Sequence, residues 1–295
     1  MGNSVAYLGP KGTFTEMAAA TIFPNEEHKP YTTIPNCMDG LAQGEVDYAV
    51  VPLENAIEGS VNLTLDYLIH KHNLPIVGEV TVPIEQHLMV HKENVDSWTT
   101  IKEVRSHPHA IAQCHEFLRN VLPDADKVYM NSTGSAVKWV KDHPEQPVAA
   151  IGNELAAKKY QLEIVQENIH DYDNNHTRFV ILDRDGASIA NSSPLYVGDK
   201  TTMMVTLPSD YSGALHQVLS AFAWRKLNLS KIESRPMKTG LGNYFFVIDV
   251  DHKMDDVLIP GVVAELQALD CGVRILGSYT CYSLTKAKKT APSIK

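Results

Sequence analysis

The stretch DNNHTRFVIL, residues 173–182, joins a polar turn directly to an apolar strand. The asparagine pair suits a turn, because Asn side chains hydrogen-bond to nearby backbone groups. The run 179–182 is short and apolar, so it predicts a buried strand. A turn requires neither the hydroxyl of Thr177 nor the guanidinium of Arg178 directly ahead of that strand. The stretch therefore predicts functional side chains at the edge of a sheet.

The segment ahead of this stretch alternates between strand-like and helix-like patterns. Strands are predicted at residues 5–8, 48–51, 80–90 and 148–151, and helices at 15–22, 60–70, 109–121, 135–142 and 153–160. Short apolar runs separated by amphipathic segments are typical of α/β layers around a largely parallel sheet. Residues 1–186 are therefore predicted to form an α/β domain.

The pattern changes after residues 187–200, whose Ser, Asn and Gly content predicts a linker. Beyond it, strands are predicted at 202–207, 229–234, 244–250 and 273–282, and helices at 213–227 and 256–269. The order βαββαβ within residues 201–285 is that of a ferredoxin-like unit. Residues 286–295 contain four lysines and predict a solvated tail.

The composition excludes several classes of protein. The chain has 295 residues, a net charge of −9 and 44% hydrophobic residues, as is typical of a globular protein with a sizeable core. An acidic chain without a basic run is not expected to bind nucleic acid. No apolar run is long enough for a membrane span and the first residues do not resemble a secretion signal, so we expect a cytoplasmic protein. The four cysteines lack metal-binding spacing, and no metal is expected.

Two polar clusters lie in the first half of the predicted α/β domain. Thr13 begins a helix with Glu16 three residues later, which is the spacing of a capping box. Glu54 and Asn55 follow a buried strand, at the edge where open α/β sheets bind ligands, and Ser60 is predicted to cap the next helix. An ordinary capped turn and an ordinary polar loop are the alternatives for these clusters.

Two similar clusters lie in the second half of that domain. Ser106 and His107 precede one predicted helix, and Ser132 and Thr133 precede another. Hydroxyls and free N–H groups at helix N-termini bind anions, although they also serve simply as caps. All four clusters together predict a cleft between two lobes that is rich in hydrogen-bond donors. The natural ligand of such a cleft is a small polyanion.

The sequence lacks the common catalytic signatures. The glycine-rich segment 9–16 does not have the spacing of a Walker or dinucleotide-binding loop. The histidines around residue 107 have no helical H-x-x-x-H pair, and no G-x-S-x-G motif is present. Nucleotide binding, metal catalysis and covalent hydrolysis are therefore not indicated.

Six motifs, in order along the chain, resemble the prephenate dehydratase family. The motifs are GPKGTFTEMAA, VPLENAIEGSVNLTLDYL, SHPHAIAQC, NSTGSA, ENIHDYDNNHTRFVIL and GALHQVLSAFAWRKLNLSKIESRP. The resemblance is to the monofunctional bacterial type, since no chorismate mutase segment precedes Val5. It implies a two-lobed catalytic domain like that of periplasmic binding proteins, followed by an ACT domain at 201–285. The sequence departs from the family pattern at Ala56, His109 and Gly134.

The resemblance implies that the chain converts prephenate to phenylpyruvate, CO2 and water without a cofactor. Thr177 is the residue that the family marks as essential, and its hydroxyl would assist departure of the ring hydroxyl. Arg178 is our candidate for a carboxylate clamp, because its planar fork matches a carboxylate. Phe179 shares a strand face with Thr177 and would pack on the substrate ring or simply in the core.

The resemblance also implies feedback inhibition by L-phenylalanine and assembly into a homodimer or homotetramer. It places the amino acid near the start of one helix and along the following strand of the ACT domain. The implied residues are Gly213, Ala214, Leu215, Asn228, Leu229, Ser230, Glu233, Ser234, Arg235 and Pro236. A helix N-terminus there would bind the carboxylate, and Glu233 or backbone carbonyls would bind the ammonium.

Three alternatives remain open from the sequence. Arogenate dehydratase performs the same chemistry on a substrate whose arm bears an amino group. A two-lobed solute-binding protein shares the cleft, although the missing secretion signal argues against it. An amino-acid sensor without activity is the third, and the presence of both Thr177 and Arg178 argues against it.

Overall fold

The computed structural model describes residues 3–187, 189, 193–209, 212–237 and 244–284. These residues form two compact units. Within the described chain, unit 1 comprises residues 3–67 and 81–179, and unit 2 comprises residues 68–80 and 180–284. The predicted tail, residues 286–295, lies outside the described residues. None of the helices described is long and apolar enough to cross a membrane.

The first lobe of unit 1 is a sheet with helices that alternate with its strands. Its elements in chain order are β1 (Ser4–Leu8), α1 (Phe14–Ile22), β2 (Glu27–Tyr31), α2 (Ile34–Ala42), β3 (Tyr48–Asn55), β4 (Gly59–Ser60) and α3 (Asn62–His70). Strand β1 pairs in parallel with both β2 and β3, and β4 folds back antiparallel on β3. Because the carboxyl ends of parallel strands meet at one edge, the segments after Leu8 and Val51 lie there together.

The chain leaves this lobe through β5 (Ile76–Pro83) and forms a second sheet. The elements of the second lobe are β6 (His87–Val90), β7 (Glu103–Ser106), α4 (Pro108–Ala112), α5 (His115–Val121), β8 (Asp126–Tyr129), α6 (Thr133–Asp142), β9 (Val148–Gly152), α7 (Glu154–Tyr160) and β10 (Glu163–Gln166). The strand order is β10-β6-β9-β7-β8, with β7 parallel to β8 and β9 and β6 antiparallel to its neighbours. Strand β11 (His176–Asp183) then returns to the first sheet, beside β3.

Unit 2 contains the predicted ferredoxin-like unit. Its elements are β12 (Tyr196–Thr206), α8 (Ala214–Ala223), β13 (Leu229–Pro236), β14 (Tyr244–Val250), α9 (Leu258–Ala268) and β15 (Gly272–Ser283). The sheet order β13-β14-β12-β15 and the antiparallel pairing confirm the βαββαβ prediction. Both helices contribute to a core with the strands, including Val218, Phe222 and Leu266.

Unit 2 also includes residues 68–80, which the sequence assigned to the first domain. Arg274 on β15 donates hydrogen bonds to the carbonyls of Leu68 and Ile69, at the end of α3, at 2.7 and 3.0 Å. Glu79 on β5 is buried and accepts a hydrogen bond from Lys200 on β12 at 3.0 Å. These bonds satisfy helix carbonyls and a carboxylate that are removed from water.

The structure differs from the sequence predictions mainly at element ends and in polar strands. The predicted strand 80–90 is two strands, β5 and β6, and the predicted helix 109–121 is two helices that meet at Cys114. The predicted linker 187–200 contains the start of β12 at Tyr196. Strands β2, β7, β8 and β10 were missed, because their exposed and charged residues conceal a strand pattern.

Candidate active site

A cavity of about 500 Å³ lies between the two lobes of unit 1. Its walls combine backbone at helix starts with hydroxyl, amide and imidazole side chains. The polar and aromatic lining includes Thr13, Asn55, Glu58, Ser60, Thr177 and Phe179 from the first lobe. Gln86, His107, His109, Gln113, Asn131, Ser132 and Thr133 complete it from the second lobe and the segment leading to it. The cavity is therefore formed by four of the predicted polar clusters and the stretch 173–182.

The Thr177 hydroxyl is oriented by the side chain of Asn55. The Oδ1 atom of Asn55 accepts hydrogen bonds from the backbone N–H groups of Ile57 and Glu58, each at 3.0 Å. Its Nδ2 group therefore points the other way, where it donates to Thr177 Oγ1 at 2.9 Å and to Asn175 Oδ1 at 2.8 Å. Because Asn55 donates to Thr177, the hydroxyl proton of Thr177 is available to a ligand in the cavity. A hydroxyl that accepts a hydrogen bond is also a stronger donor.

Alternation along β11 separates Thr177 and Phe179 from Arg178. Thr177 and Phe179 both line the cavity, as the shared face predicts, and both are buried. Arg178 is not among the lining residues, and its Nη1 donates to Glu54 Oε2 at 2.7 Å. This placement does not support the predicted carboxylate clamp, because a regular strand directs neighbouring side chains to opposite faces. The strand is regular from His176 onward.

Glu54 and Ser60 also differ from their predicted roles. Glu54 is paired with Arg178 and is absent from the cavity lining, so it is not placed to bind a ligand there. Ser60 does line the cavity, but it lies in β4 opposite Glu54, and helix α3 begins only at Asn62. The turn at Gly59, with φ of 80°, folds the chain back as a hairpin before the helix starts.

Helix α1 begins at the cavity with Thr13 as its N-cap, as predicted. The Thr13 hydroxyl accepts from the Glu16 N–H at 3.3 Å and donates to the Leu8 carbonyl at 3.1 Å. The capping box is not reciprocal, because the Glu16 carboxylate accepts from the N–H of Gly12 at 2.6 Å instead of that of Thr13. Burial of Tyr7, together with the adjacent Glu16 carboxylate, raises the pKa of Tyr7.

Helix α6 also begins at the cavity, next to the turn that precedes α1: a Cβ on Gly134 would lie 2.5 Å from the Lys11 carbonyl oxygen. Ser132 is its N-cap and accepts from the Ser135 N–H at 2.9 Å, which confirms the predicted cap. Ser132 and Thr133 both line the cavity. Helices α1 and α6 thus direct their positive dipole ends at the same space, which favours an anion.

The cavity contains an imidazole pair and one carboxylate. His109 Nδ1 lies 2.5 Å from Glu58 Oε2, so this pair joins the two lobes at the exposed rim of the cavity. His107 Nδ1 accepts from the His109 N–H at 3.3 Å. Burial, followed by the neighbouring His109, lowers the pKa of His107, and Glu58 partly opposes the shift. A lowered pKa keeps His107 neutral at neutral pH.

Ser106 does not line the cavity, in contrast to its predicted role in binding. It is fully buried, and its hydroxyl donates to the Ile151 carbonyl at 2.7 Å, between strands β7 and β9. The polar lining residues outside the predicted site set include Glu58, Gln86, His109 and Gln113. Gln113 and His109 lie on a motif that the sequence singled out, whereas nothing near Gln86 indicated a site.

Among the described residues, no lysine or arginine lines the cavity. An anion in this cavity would therefore be held by helix N-termini, hydroxyl and amide donors, and His107 and His109. Within the described parts of the chain, no three His, Cys, Asp or Glu side chains converge as ligands for a metal ion. The donor set is thus suited to an organic polyanion with oxygen acceptors.

The residues predicted to bind phenylalanine lie in unit 2, at the start of α8 and along β13. Gly213 has φ of 94° and is the N-cap of α8, where it makes no side-chain cap hydrogen bond. Asn228 donates to Asp251 at 2.6 Å. Glu233 pairs with Lys231 at 3.1 Å and with Arg235 at 3.3 Å on one face of β13. Ser230 and Ser234 lie on the exposed face of that strand, as does Pro236; Leu229 is half-buried and Leu215 is exposed.

Known proteins of one family are similar to nearly the whole chain. A family model described as prephenate dehydratase matches residues 5–187. The prephenate dehydratase of Bacillus subtilis is 58% identical over 283 residues, which cover 95% of this chain and 99% of that protein.

Two solved structures have the same fold. Prephenate dehydratase from Arthrobacter aurescens in complex with L-Phe is 36% identical, with a TM-score of 0.82, covering 94% of this chain and 89% of that one. The Staphylococcus aureus prephenate dehydratase is 30% identical, with a TM-score of 0.80, covering 94% and 99%. Since the family model covers more than half of the chain and the Bacillus protein resembles nearly all of it, the chain belongs to the prephenate dehydratase family.

Proposed function

We propose that this chain is an enzyme that converts prephenate to phenylpyruvate, CO2 and water, and is therefore a carbon–oxygen lyase. The observation that carries the proposal is the Thr177 hydroxyl, which Asn55 orients with its proton free in a cavity rich in anion-binding donors. Family membership supports the substrate, and the donor set of the cavity suits its two carboxylates.

The proposed reaction requires positioning and one proton. The bond between the ring and its carboxylate breaks to release CO2, and the electron pair left behind moves through the ring. The bond to the ring hydroxyl then breaks at the opposite carbon, and the hydroxyl leaves as water after it receives a proton. Prephenate plus one proton thus gives phenylpyruvate, CO2 and water, and formation of the aromatic ring provides the driving force. No electrons are gained or lost overall, so no redox cofactor is required.

Thr177 is proposed to donate a hydrogen bond to the departing hydroxyl. A threonine is too weak an acid to be an efficient full proton donor near neutral pH, so the proton itself would arrive through water. The hydrogen bond stabilises negative charge that develops on the oxygen as the bond breaks, which is the part of catalysis that a fixed donor supplies best. Phe179, on the same strand face, is proposed to pack against the ring.

The two carboxylates are proposed to lie at the starts of helices α1 and α6. Thr13 and Ser132 fix those helix ends, and Thr133 adds a hydroxyl at the cavity wall. His107 provides a further polar contact from the second lobe. Binding both ends of the substrate would hold it in the geometry from which CO2 leaves, which accounts for a large part of the rate in such reactions.

Residues 201–285 are proposed to be an ACT domain that binds L-phenylalanine and inhibits the catalytic reaction. The support is the βαββαβ order, the start of α8 at Gly213, which makes no side-chain cap hydrogen bond, and the L-Phe complex of the Arthrobacter relative. Assembly into a homodimer or homotetramer and a catalytic domain at residues 1–186 are proposed on the resemblance, and location in the cytoplasm is proposed as well. No nucleic-acid or membrane partner is proposed.

One assay tests these proposals together. Purified protein is incubated with prephenate or arogenate, and phenylpyruvate or phenylalanine formation is measured with and without added L-phenylalanine. The expected result is turnover of prephenate that exceeds turnover of arogenate and falls as L-phenylalanine rises. Absence of turnover with either substrate would overturn the enzymatic proposal, and preference for arogenate would reassign the substrate. Turnover that does not respond to L-phenylalanine would overturn only the regulatory part.

A further inference from the structure

Gln86 is a cavity residue whose backbone is fixed from two sides. Its carbonyl accepts from the Ile169 N–H at 2.8 Å, and its N–H donates to His170 Nδ1 at 3.3 Å. Two residues earlier, the Ile84 N–H donates to the carbonyl of Asn175, at 2.9 Å. The segment 84–86 is thereby attached to the same polar turn that leads into Thr177.

The side chain of Gln86 belongs to the cavity face of this segment. Ile84 and Gln86 are buried and line the cavity, whereas Glu85 between them is exposed. Gln86 is only 2% exposed, and its Oε1 accepts no hydrogen bond from any part of the chain that the structure describes. In this conformation the oxygen is also shielded from the cavity, so the side-chain amide must rotate to present it there. A buried carbonyl oxygen without a donor is unfavourable, and a donor on a ligand would satisfy it after that rotation.

The proposed substrate has only one hydrogen-bond donor to offer. Both carboxylates and the keto group of prephenate are acceptors, and its ring hydroxyl is the sole group with a proton to donate. The other polar groups that we assign to the substrate, at the helix starts and at Thr177, act as donors. Resting on the proposed function, we propose that Gln86 Oε1 accepts the hydrogen bond of the ring hydroxyl and so positions the leaving oxygen.

This arrangement assigns complementary roles to Gln86 and Thr177. When the hydroxyl proton of the substrate is held by Gln86, the lone pairs of the leaving oxygen are free for the proton that Asn55 leaves available on Thr177. The oxygen is then oriented by one acceptor and one donor. Gln86 thereby distinguishes ligands that carry a hydroxyl at this ring position from ligands that do not.

The test compares two ligands that differ only in that hydroxyl. Phenylpyruvate and para-hydroxyphenylpyruvate are titrated calorimetrically into the full chain, into the Gln86→Met variant, and into a Glu85→Met control on the exposed face of the same segment. We expect the natural chain and the control to prefer the hydroxylated ligand by about fivefold, the size of one net hydrogen bond. Gln86→Met should reduce that ratio to near one, with thermal melting confirming that the variant is folded.

A Gln86→Glu variant tests whether the side chain at position 86 accepts a hydrogen bond from the ligand or donates one to it. A carboxylate can still accept from the hydroxyl, so the preference for the hydroxylated ligand should persist even though both anionic ligands bind more weakly. An equal loss of both ligands in Gln86→Met, or a natural chain without the preference, would overturn the proposal. These titrations need no turnover, so a failure of the proposed reaction is seen separately in the prephenate assay.

Discussion

Thr177 and Arg178 are neighbours on β11, and their partners Asn55 and Glu54 are neighbours on β3, yet the two side chains lie on opposite faces of the strand. The Thr177 hydroxyl accepts from Asn55 and faces the cavity, whereas the Arg178 guanidinium pairs with Glu54 away from the lining. The guanidinium of an arginine binds a dianion more strongly than the hydroxyl of a threonine does. Because side chains alternate along the strand, Thr177 nevertheless faces the cavity, and Arg178 forms an ion pair with Glu54 instead. Adjacency in sequence to a cavity residue is therefore a poor guide to a shared role.

The largest effect is expected on the cavity face, from Thr177→Ala. Loss of the hydroxyl should reduce kcat for prephenate by about a hundredfold or more, since one positioned donor at developing charge contributes that much. Thr177→Ser, which keeps the hydroxyl, is the matched control and should retain much of the activity. Near-normal turnover of a folded Thr177→Ala variant would break the assignment of this face to catalysis.

Asn55→Asp tests how the hydroxyl of Thr177 is oriented. A carboxylate can still accept from the N–H groups of Ile57 and Glu58, but it cannot donate to Thr177. The Thr177 hydroxyl would then donate to the new carboxylate and be lost to the substrate. We expect kcat to fall by about ten- to a hundredfold. Unchanged kcat, measured at saturating prephenate, would show that the orientation by Asn55 is unimportant.

Arg178→Gln should affect stability more than turnover. Removing the guanidinium leaves the half-buried Glu54 carboxylate without this partner, which should cost about 2 kcal/mol in the free energy of unfolding. A double-mutant cycle with Glu54→Gln, followed by urea denaturation, measures the coupling. A large rise in KM for prephenate without loss of stability would instead indicate that Arg178 binds the substrate. The two faces of β11 would then not differ in role.

The smallest expected effect is that of pH on stability. His107, across the cavity, has a pKa lowered chiefly by burial, so the unfolded chain takes up this proton before the folded chain does. The contribution of neutral His107 to the free energy of unfolding should therefore be complete above the ordinary histidine pKa, about 6.5. It should decrease as pH falls below that value. His107→Asn should flatten this decrease in part, because burial also lowers the pKa of His87. An identical slope in the variant would remove His107 from the explanation.

Much of the fold follows from local patterns, whereas the site depends on distant pairs. The βαββαβ order, the caps at Thr13 and Ser132, and the shared face of Thr177 and Phe179 are all encoded within a few residues of chain. The pairs Glu54–Arg178 and Glu58–His109 join residues that are far apart in sequence, so no local pattern indicates them. Such pairs depend on the packed arrangement of the strands and lobes.

Other misses have a physical cause within a single element. Ser106 resembles a ligand-binding hydroxyl in sequence, but the backbone of a neighbouring strand uses it as a donor. Glu16 has the spacing of a capping box, yet it reaches the N–H of Gly12, because the glycine turn brings that group closer. Gln86 sits in an undistinguished segment, and only its burial without a partner marks it.

The contacts of Arg274 and Lys200 have a consequence for how this chain could be divided or recombined. A polypeptide ending near residue 187 would lose the donors to the last turn of α3 and would strand the buried Glu79 carboxylate without Lys200. Gly277 adds a steric requirement, since a Cβ there would lie 2.1 Å from the Ile76 carbonyl. The region after residue 187 therefore cannot be exchanged alone between relatives. A chimera that contains this region must include residues 68–80 from the same protein as well.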